Sequence, residues 1–213
     1  METIVGHPSL IEILSTEDEI EAAIGKPAPR MLAKVVDSLD DICRAFIARS
    51  PFIVVGSCDS GGRFDLSPKG DLPGFVRVLD GRTIAIPERP GNRRADTFRN
   101  VLKNPRVGLI FIVPGKGETL RVSGTARIVR DAWLRERMAV DGRLPELALV
   151  VTVEEAFIHC TKCMVRSRMW QPDSWNDARL ASAVEALIVH SHLEMPVAEL
   201  QSLYENDVRT RLY

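Results

Sequence analysis

The sequence predicts an α+β protein, mainly β with helices at both ends, and three observations carry that reading. Runs rich in β-branched residues, FIVVGSC from Phe52, VGLIFIV from Val107 and ALVVTVEEAFIHC from Ala148, have the composition of strands. Clusters of Asp, Gly, Pro and Ser separate them as turns. Residues 1–50 and the chain after Asn176 carry apolar residues at helical spacing instead.

A chain of 213 residues with 45% hydrophobic and 27% charged residues can bury one substantial core, so a single domain is expected over 1–213. N-terminal helices take 1–50, a sheet-forming body 51–163, and a C-terminal segment with helices 164–213. The net charge of -1 gives no general pull toward nucleic acid or an anionic membrane, so any anion site must be local. The N-terminus lacks the order of a signal peptide and no apolar run approaches a membrane span. The cytoplasm is the expected compartment. No P-loop, metal triad or serine-triad signature occurs.

Taken in order, Thr16 and Glu19 form a capping box ahead of EIEAAI, and Gly25 can close that helix in the left-handed conformation. A second helix is expected over Leu39–Arg49, capped by Ser38, with Leu39, Ile42, Cys43, Phe46 and Ile47 as its apolar stripe. The first strand starts at Phe52 and its hairpin partner runs from Arg63 to Leu66, after which Ser67-Pro68-Lys69-Gly70-Asp71 reads as a turn. FVRVL and RTIAIP around Asp80-Gly81 make a hairpin of the type I′ kind. Val107–Val113 is continuously apolar and expected to be buried on both faces as the central strand. Glu118–Val129 alternates, with Gly124 marking a bend or a close backbone approach. Asp131 can cap a short helix, AWLRERMAV, before the last strand, about Ala148–Cys160. Beyond it, Leu180, Val184, Leu187 and Ile188 make one helical stripe, Pro196 breaks it, and Val197 to about Arg211 makes another helix.

The chemistry concentrates in the loop after the RTIAIP strand. Gly91 permits a tight turn, Asn92 is a good N-cap, and Arg93 and Arg94 then fall in the first turn of a helix running to Lys103. Cations oppose the dipole at that end, so a pair of them suggests a doubly negative ligand such as a phosphate monoester. The alternative is a solvated basic turn paired with Glu88 or Asp96. Cys160-Thr-Lys-Cys163 lacks the second pair that a zinc site needs. If the last strand continues through it, residues three apart point to opposite faces and cannot form an unstrained disulfide, so both cysteines read as structural, with a thiol role as the lesser alternative.

The run PGNRRADTFRNVLKNPRVGLIF followed by ETLRVSGTARI, with FDLSPKGDLPGFVRVLDGRTIAIP upstream and HCTKCMVRSRMWQPDSW downstream, resembles the pyridoxamine 5'-phosphate oxidase-like family. Within it the likeness is to an uncharacterised bacterial branch of FMN-dependent proteins. The resemblance spans roughly residues 50–176 and implies a six-stranded split β-barrel over 51–163 that binds FMN. It further implies flavin contacts from Ser67, Lys69, Ile86, Asn92, Arg93, Arg94, Thr119, Arg121, Arg168 and Trp170, with Thr119 standing where the oxidase tends to carry glutamine. The implied activity is oxidoreduction of a small molecule between an electron donor and an acceptor, with no obligatory acid or base because the flavin supplies the chemistry. Non-catalytic flavin binding, or haem or a deazaflavin in the same barrel, is the alternative. A homodimer with the flavin at its interface is expected, with no metal, nucleic acid or membrane partner.

Overall fold

The computed structural model describes residues 12–175 and 179–213. The chain forms two compact units, Met1–Val35 and Val36–Tyr213. The first holds α1 (Glu17–Ile24) and α2 (Pro29–Ala33). The expected Thr16–Glu19 capping box is present, and Gly25 ends α1 at a positive φ of 80, but its ψ of 166 lies outside the left-handed helical region.

The second unit is built on α3 (Asp41–Arg49), β1 (Phe52–Cys58), β2 (Phe64–Gly70), β3 (Arg77–Val78), β4 (Thr83–Pro87), α4 (Asp96–Lys103), β5 (Arg106–Ile112), β6 (Thr119–Val129), α5 (Ala132–Arg137), β7 (Ala148–His159), α6 (Lys162–Arg166), α7 (Ala183–Ser191) and α8 (Val197–Arg211). The strands make one antiparallel sheet of seven, ordered β2-β1-β5-β6-β7-β4-β3. The count exceeds the six implied by resemblance because the two-residue β3 pairs with β4.

Several local expectations are corrected. α3 is capped by Asp40, whose carboxylate accepts from the Cys43 N–H at 2.8 Å, not by Ser38. Leu39, Cys43, Phe46 and Ile47 enter the core, whereas Ile42 faces solvent. The segment Ser67–Gly70 is strand, not turn: β2 lies at the sheet edge, so Pro68 can pair with Val54 without leaving a ladder acceptor unsatisfied. The β3–β4 connection is a three-residue loop over 80–82 closed by Leu79 N–H to Thr83 O, and neither Asp80 nor Gly81 has the positive φ of a type I′ turn. β5 buries only one face, Val107, Leu109 and Phe111, and it is the longer β6 that stands at the sheet's centre. Asp131 precedes α5 without a side-chain cap bond. The expected onset of helix at Asn176 lies outside the described residues; α7 itself starts after Ser182, which forms a capping box with Glu185. Of its expected stripe, Val184 is buried and Leu180 is exposed.

The core sits between one face of the sheet and α3 and α4, around Ile47, Ile53, Val55, Ile84, Phe111, Leu120 and Val151. A smaller cluster of Ala85, Leu134, Met138 and Ala148 fixes α5 to the other side of β4 and β7. β6 and β7 pair from Thr119↔His159 to Val129↔Ala148, with a register shift at Ser123/Gly124. The bulge is why position 124 is glycine. A Cβ there would collide with the Thr152 carbonyl oxygen, which the neighbouring strand cannot withdraw without losing its own pairing.

Gly124→Ala is therefore expected to destabilise the fold by roughly 3 kcal/mol, the upper end for overpacking against rigid neighbours, or about 6–10 °C in Tm. Thermal or denaturant unfolding checks this, with Gly108→Ala as the control because a Cβ at Gly108 meets open space.

Candidate cofactor site

Two antiparallel pairings bring the loop chemistry to one place. β4 ends by pairing Pro87 with Ala148, and the Glu88 N–H donates to Leu147 O at 2.9 Å, so the chain leaves the sheet beside β2 and α4. On β2 the half-buried residues alternate as Asp65, Ser67 and Lys69, all turned to the same side. These elements enclose a cavity of about 670 Å3 lined by Ser67, Lys69, Asn92, Arg93, Arg94 and the start of α4, with Leu66, Phe75, Pro87, Phe98 and Leu147 as its apolar wall. Five of the ten residues expected at the cofactor thus share one cleft.

The helix start differs from its expectation. α4 begins at Asp96 behind Ala95, which has φ 55, and Arg93 has φ 60, so both arginines precede the helix rather than form its first turn. The Asn92 carboxamide oxygen accepts from the Arg94 N–H at 3.0 Å, a tight Asx turn that bends the chain back before α4. Asp96 sits on the helix end and pairs with Arg94 at 2.6 Å, which draws its carboxyl below the usual range. The basic-turn alternative therefore holds for Arg94, while Glu88 pairs with Lys69 at 3.1 Å. No ion pair is formed by Arg93 among the described residues.

Beneath the loop lies a polar cluster that the sequence reading did not identify. The side chain of Asp71 is 1% exposed, and it accepts from Arg89 Nε at 2.7 Å, from Tyr213 Oη at 2.8 Å and from the Leu72 N–H at 2.7 Å. Burial pushes its carboxyl up, but these three donors together outweigh burial and leave it lowered. Arg89 also stacks over the Tyr213 ring, 5.4 Å from its centroid. Asp71 so fixes Arg89, and with it the start of the loop, from below. Only the charged run ERPGNRR hinted at this. The partner Tyr213 is 142 positions away and no local pattern marks it.

The other expected residues fall elsewhere. Thr119 and Arg121 line a second cavity of about 630 Å3 on the open face of the sheet, with Val54, Ile110, Ile112, Phe157, His159 and Cys163. Arg121 lies 5.0 Å from the Phe157 ring centroid. Leu66 lines both cavities and so stands between them. Ile86 is in the core, 2% exposed, and lines neither. Arg168 is exposed, and Trp170 donates from its indole to Lys116 O at 2.7 Å, which ties the segment after β7 to the β5–β6 turn. Trp170 thus has a place within its own chain, while Trp175 remains 61% exposed. β7 stops at His159 and the chain turns at once into α6, so the premise that kept Cys160 and Cys163 on opposite faces fails.

A flat cofactor with a phosphate tail suits the first cavity chemically: cations and backbone N–H groups at one end, apolar walls beside them, and a size within the range of small-molecule sites. The model of the pyridoxamine 5'-phosphate oxidase family matches residues 39–160, and the chain belongs to that family. Its sheet is accordingly the split barrel of the family. HupZ from Group A Streptococcus is 20% identical and matches over 57% of this chain and 94% of its own, with a TM-score of 0.47. An FMN-binding protein from Syntrophomonas wolfei is 12% identical over 54% and 86%, TM-score 0.42. HutZ, the haem storage protein from Vibrio cholerae, is 17% identical over 57% and 94%, TM-score 0.38. No curated protein matches. No helix among the described residues is long and apolar enough to cross a membrane.

The Asp71 cluster yields a pH prediction. Because the folded carboxyl lies below its unfolded value of about 4, its stabilisation is complete above that pH and is lost as pH falls through the folded value. Asp71→Asn should cost roughly 3 kcal/mol at neutral pH by stranding Arg89. It should also flatten the acid limb below about pH 4, which urea unfolding at falling pH would read.

Proposed function

We propose that this protein is an FMN-dependent oxidoreductase that holds the cofactor's phosphate at Arg93 in the cleft between β2 and the loop before α4. The carrying observation is the convergence there of Lys69, Asn92, Arg93, Arg94 and the α4 N-terminus beside an apolar wall. Arg93 can accept a phosphate without giving up an ion pair. Arg94 would have to exchange Asp96 for it, and Lys69 would have to exchange Glu88.

FMN, when bound, supplies the hydride or electron chemistry. The chain's residues bind the phosphate, keep the loop in place through Arg89 and Asp71, and offer Leu66 as a ridge leading from the phosphate end to the open sheet face. Thr119 and Arg121 on that face are suited to contacts with the ring or with the small-molecule substrate. No side chain needs to act as acid or base.

That open face also supports a homodimer. Val54, Leu66, Ile110, Ile112 and Phe157 line it as a largely apolar surface, and Phe64 beside it is 73% exposed. A second copy would bury this surface and close the flavin site. A second functional reading, haem binding, is favoured by one observation: His159 lines the apolar second cavity and could offer an imidazole to iron.

Arg93→Ala is expected to weaken FMN roughly ten- to a hundredfold, the scale of one charge-assisted hydrogen bond, whereas Arg94→Ala loses less because Asp96 already occupies its side chain. Asp96→Asn should tighten FMN by releasing Arg94. Fluorescence titration of the three variants checks the order, and equal affinities would exclude the loop as the phosphate site. Light scattering should give a dimer mass, and Trp170→Ala should weaken dimerisation or FMN binding by loosening the segment over the β5–β6 turn.

A further inference from the structure

We propose that Cys160 and Cys163 form a reversible intramolecular disulfide, made and broken by exchange with low-molecular-weight disulfides and thiols. The geometry comes from the end of β7. Thr161 has φ -74 and ψ -12, and Lys162 opens α6, so Cys160 to Cys163 spans a single right-handed turn. Such a turn holds its end Cα atoms within about 7 Å, and a disulfide requires about 4.4–6.8 Å. Continued strand would have held the two side chains apart. The abrupt change from strand to helix puts them on one side.

Accessibility distinguishes this pair from the other two thiols. Cys160 and Cys163 are both free and exposed. Cys43 is buried on α3, where burial pushes its thiol up to about 11 and makes it unreactive. Cys58 is half-buried at the end of β1 and accepts from Asn104 Nδ2 at 3.1 Å. An oxidant in solution therefore meets the CTKC pair first.

The exchange balances without any bound cofactor. One cysteine thiolate attacks a sulfur of the small disulfide, expelling one small thiol and leaving a mixed disulfide on the protein. The second thiolate then attacks the protein sulfur and expels the other small thiol. Two protons and two electrons have passed from the cysteines to the small disulfide, and an excess of small thiol reverses both steps.

Oxidation acts on a defined place. Cys163 and Met164 line the second cavity beside His159, and Gly117 of the β5–β6 turn packs so closely on Thr161 that a Cβ there would lie 2.9 Å from its Cγ2. Closing a ring across Thr161 and Lys162 stiffens the rim of that cavity while leaving the phosphate cleft between β2 and α4 untouched. This site stands independently of which cofactor the protein holds.

The test uses the purified full chain equilibrated with oxidised glutathione and digested with trypsin without reduction. Trypsin cuts after Lys162, between the two cysteines, so a disulfide is read directly. The expected product links the peptide Leu144–Lys162 to Cys163–Arg166, two hydrogens lighter than their sum, and dithiothreitol separates them. Cys163→Ser should stop at a single glutathione adduct on Cys160. Wild-type protein that carries separate glutathione adducts on both cysteines, or leaves both unmodified, with no linked peptide, would overturn the proposal.

Discussion

The pairing of β6 with β7 is the constraint on which the rest of the second unit depends. It is the longest ladder in the sheet, and each of its ends serves a different site. At the end where Ala148 begins β7, the strand also holds Pro87 and so sets where the basic loop leaves the sheet. At the other end, Thr119 opposite His159 opens onto the second cavity and the CTKC turn. Because strand side chains alternate with a period of two, a slip of one residue would turn Arg121 inward and Leu120 outward. The bulge at Gly124 absorbs the one extra residue, Glu154, which pairs across the surface with Arg106 instead of disturbing the ladder.

Polar interactions then refine what the ladder places. The loop over 88–95 has no regular structure of its own, and two of its non-glycine residues adopt positive φ. Such backbone is costly and persists only where the surroundings hold it. Asp71 holds one side through Arg89, Asn92 closes the turn, and Asp96 draws Arg94 toward the helix. Of the four cations lining the cleft, Arg93 alone forms no ion pair among the described residues. A loop held by two carboxylates and a carboxamide before any ligand arrives has less ordering left to do on binding.

Much of this was legible in the sequence. All three β-branched runs are strands, the capping boxes at Thr16 and the break at Pro196 are where local chemistry demands, and the basic loop does line a cleft with Ser67 and Lys69. What failed had physical causes. Pro68 reads as a turn residue unless it is known to lie on an edge strand, and edge position is decided by the whole sheet. The apolar run of β5 reads as doubly buried, yet one face is left open within the chain. Asn92 takes the role of a cap in composition but spends its side chain on an Asx turn, which delays the helix by three residues. The Asp71–Tyr213 bond joins segments that no periodicity connects. The premise that β7 runs on through CTKC failed because the sequence does not show that the strand ends at His159.

The central claim is that the cleft is anchored on a phosphate rather than on a flat ring alone. Titrating the wild-type protein with FMN and with riboflavin, which differ only in that phosphate, addresses it most directly. The account predicts that FMN binds at least tenfold more tightly and that most of the difference is lost in Arg93→Ala. Equal affinity for the two flavins in the wild-type protein would contradict it.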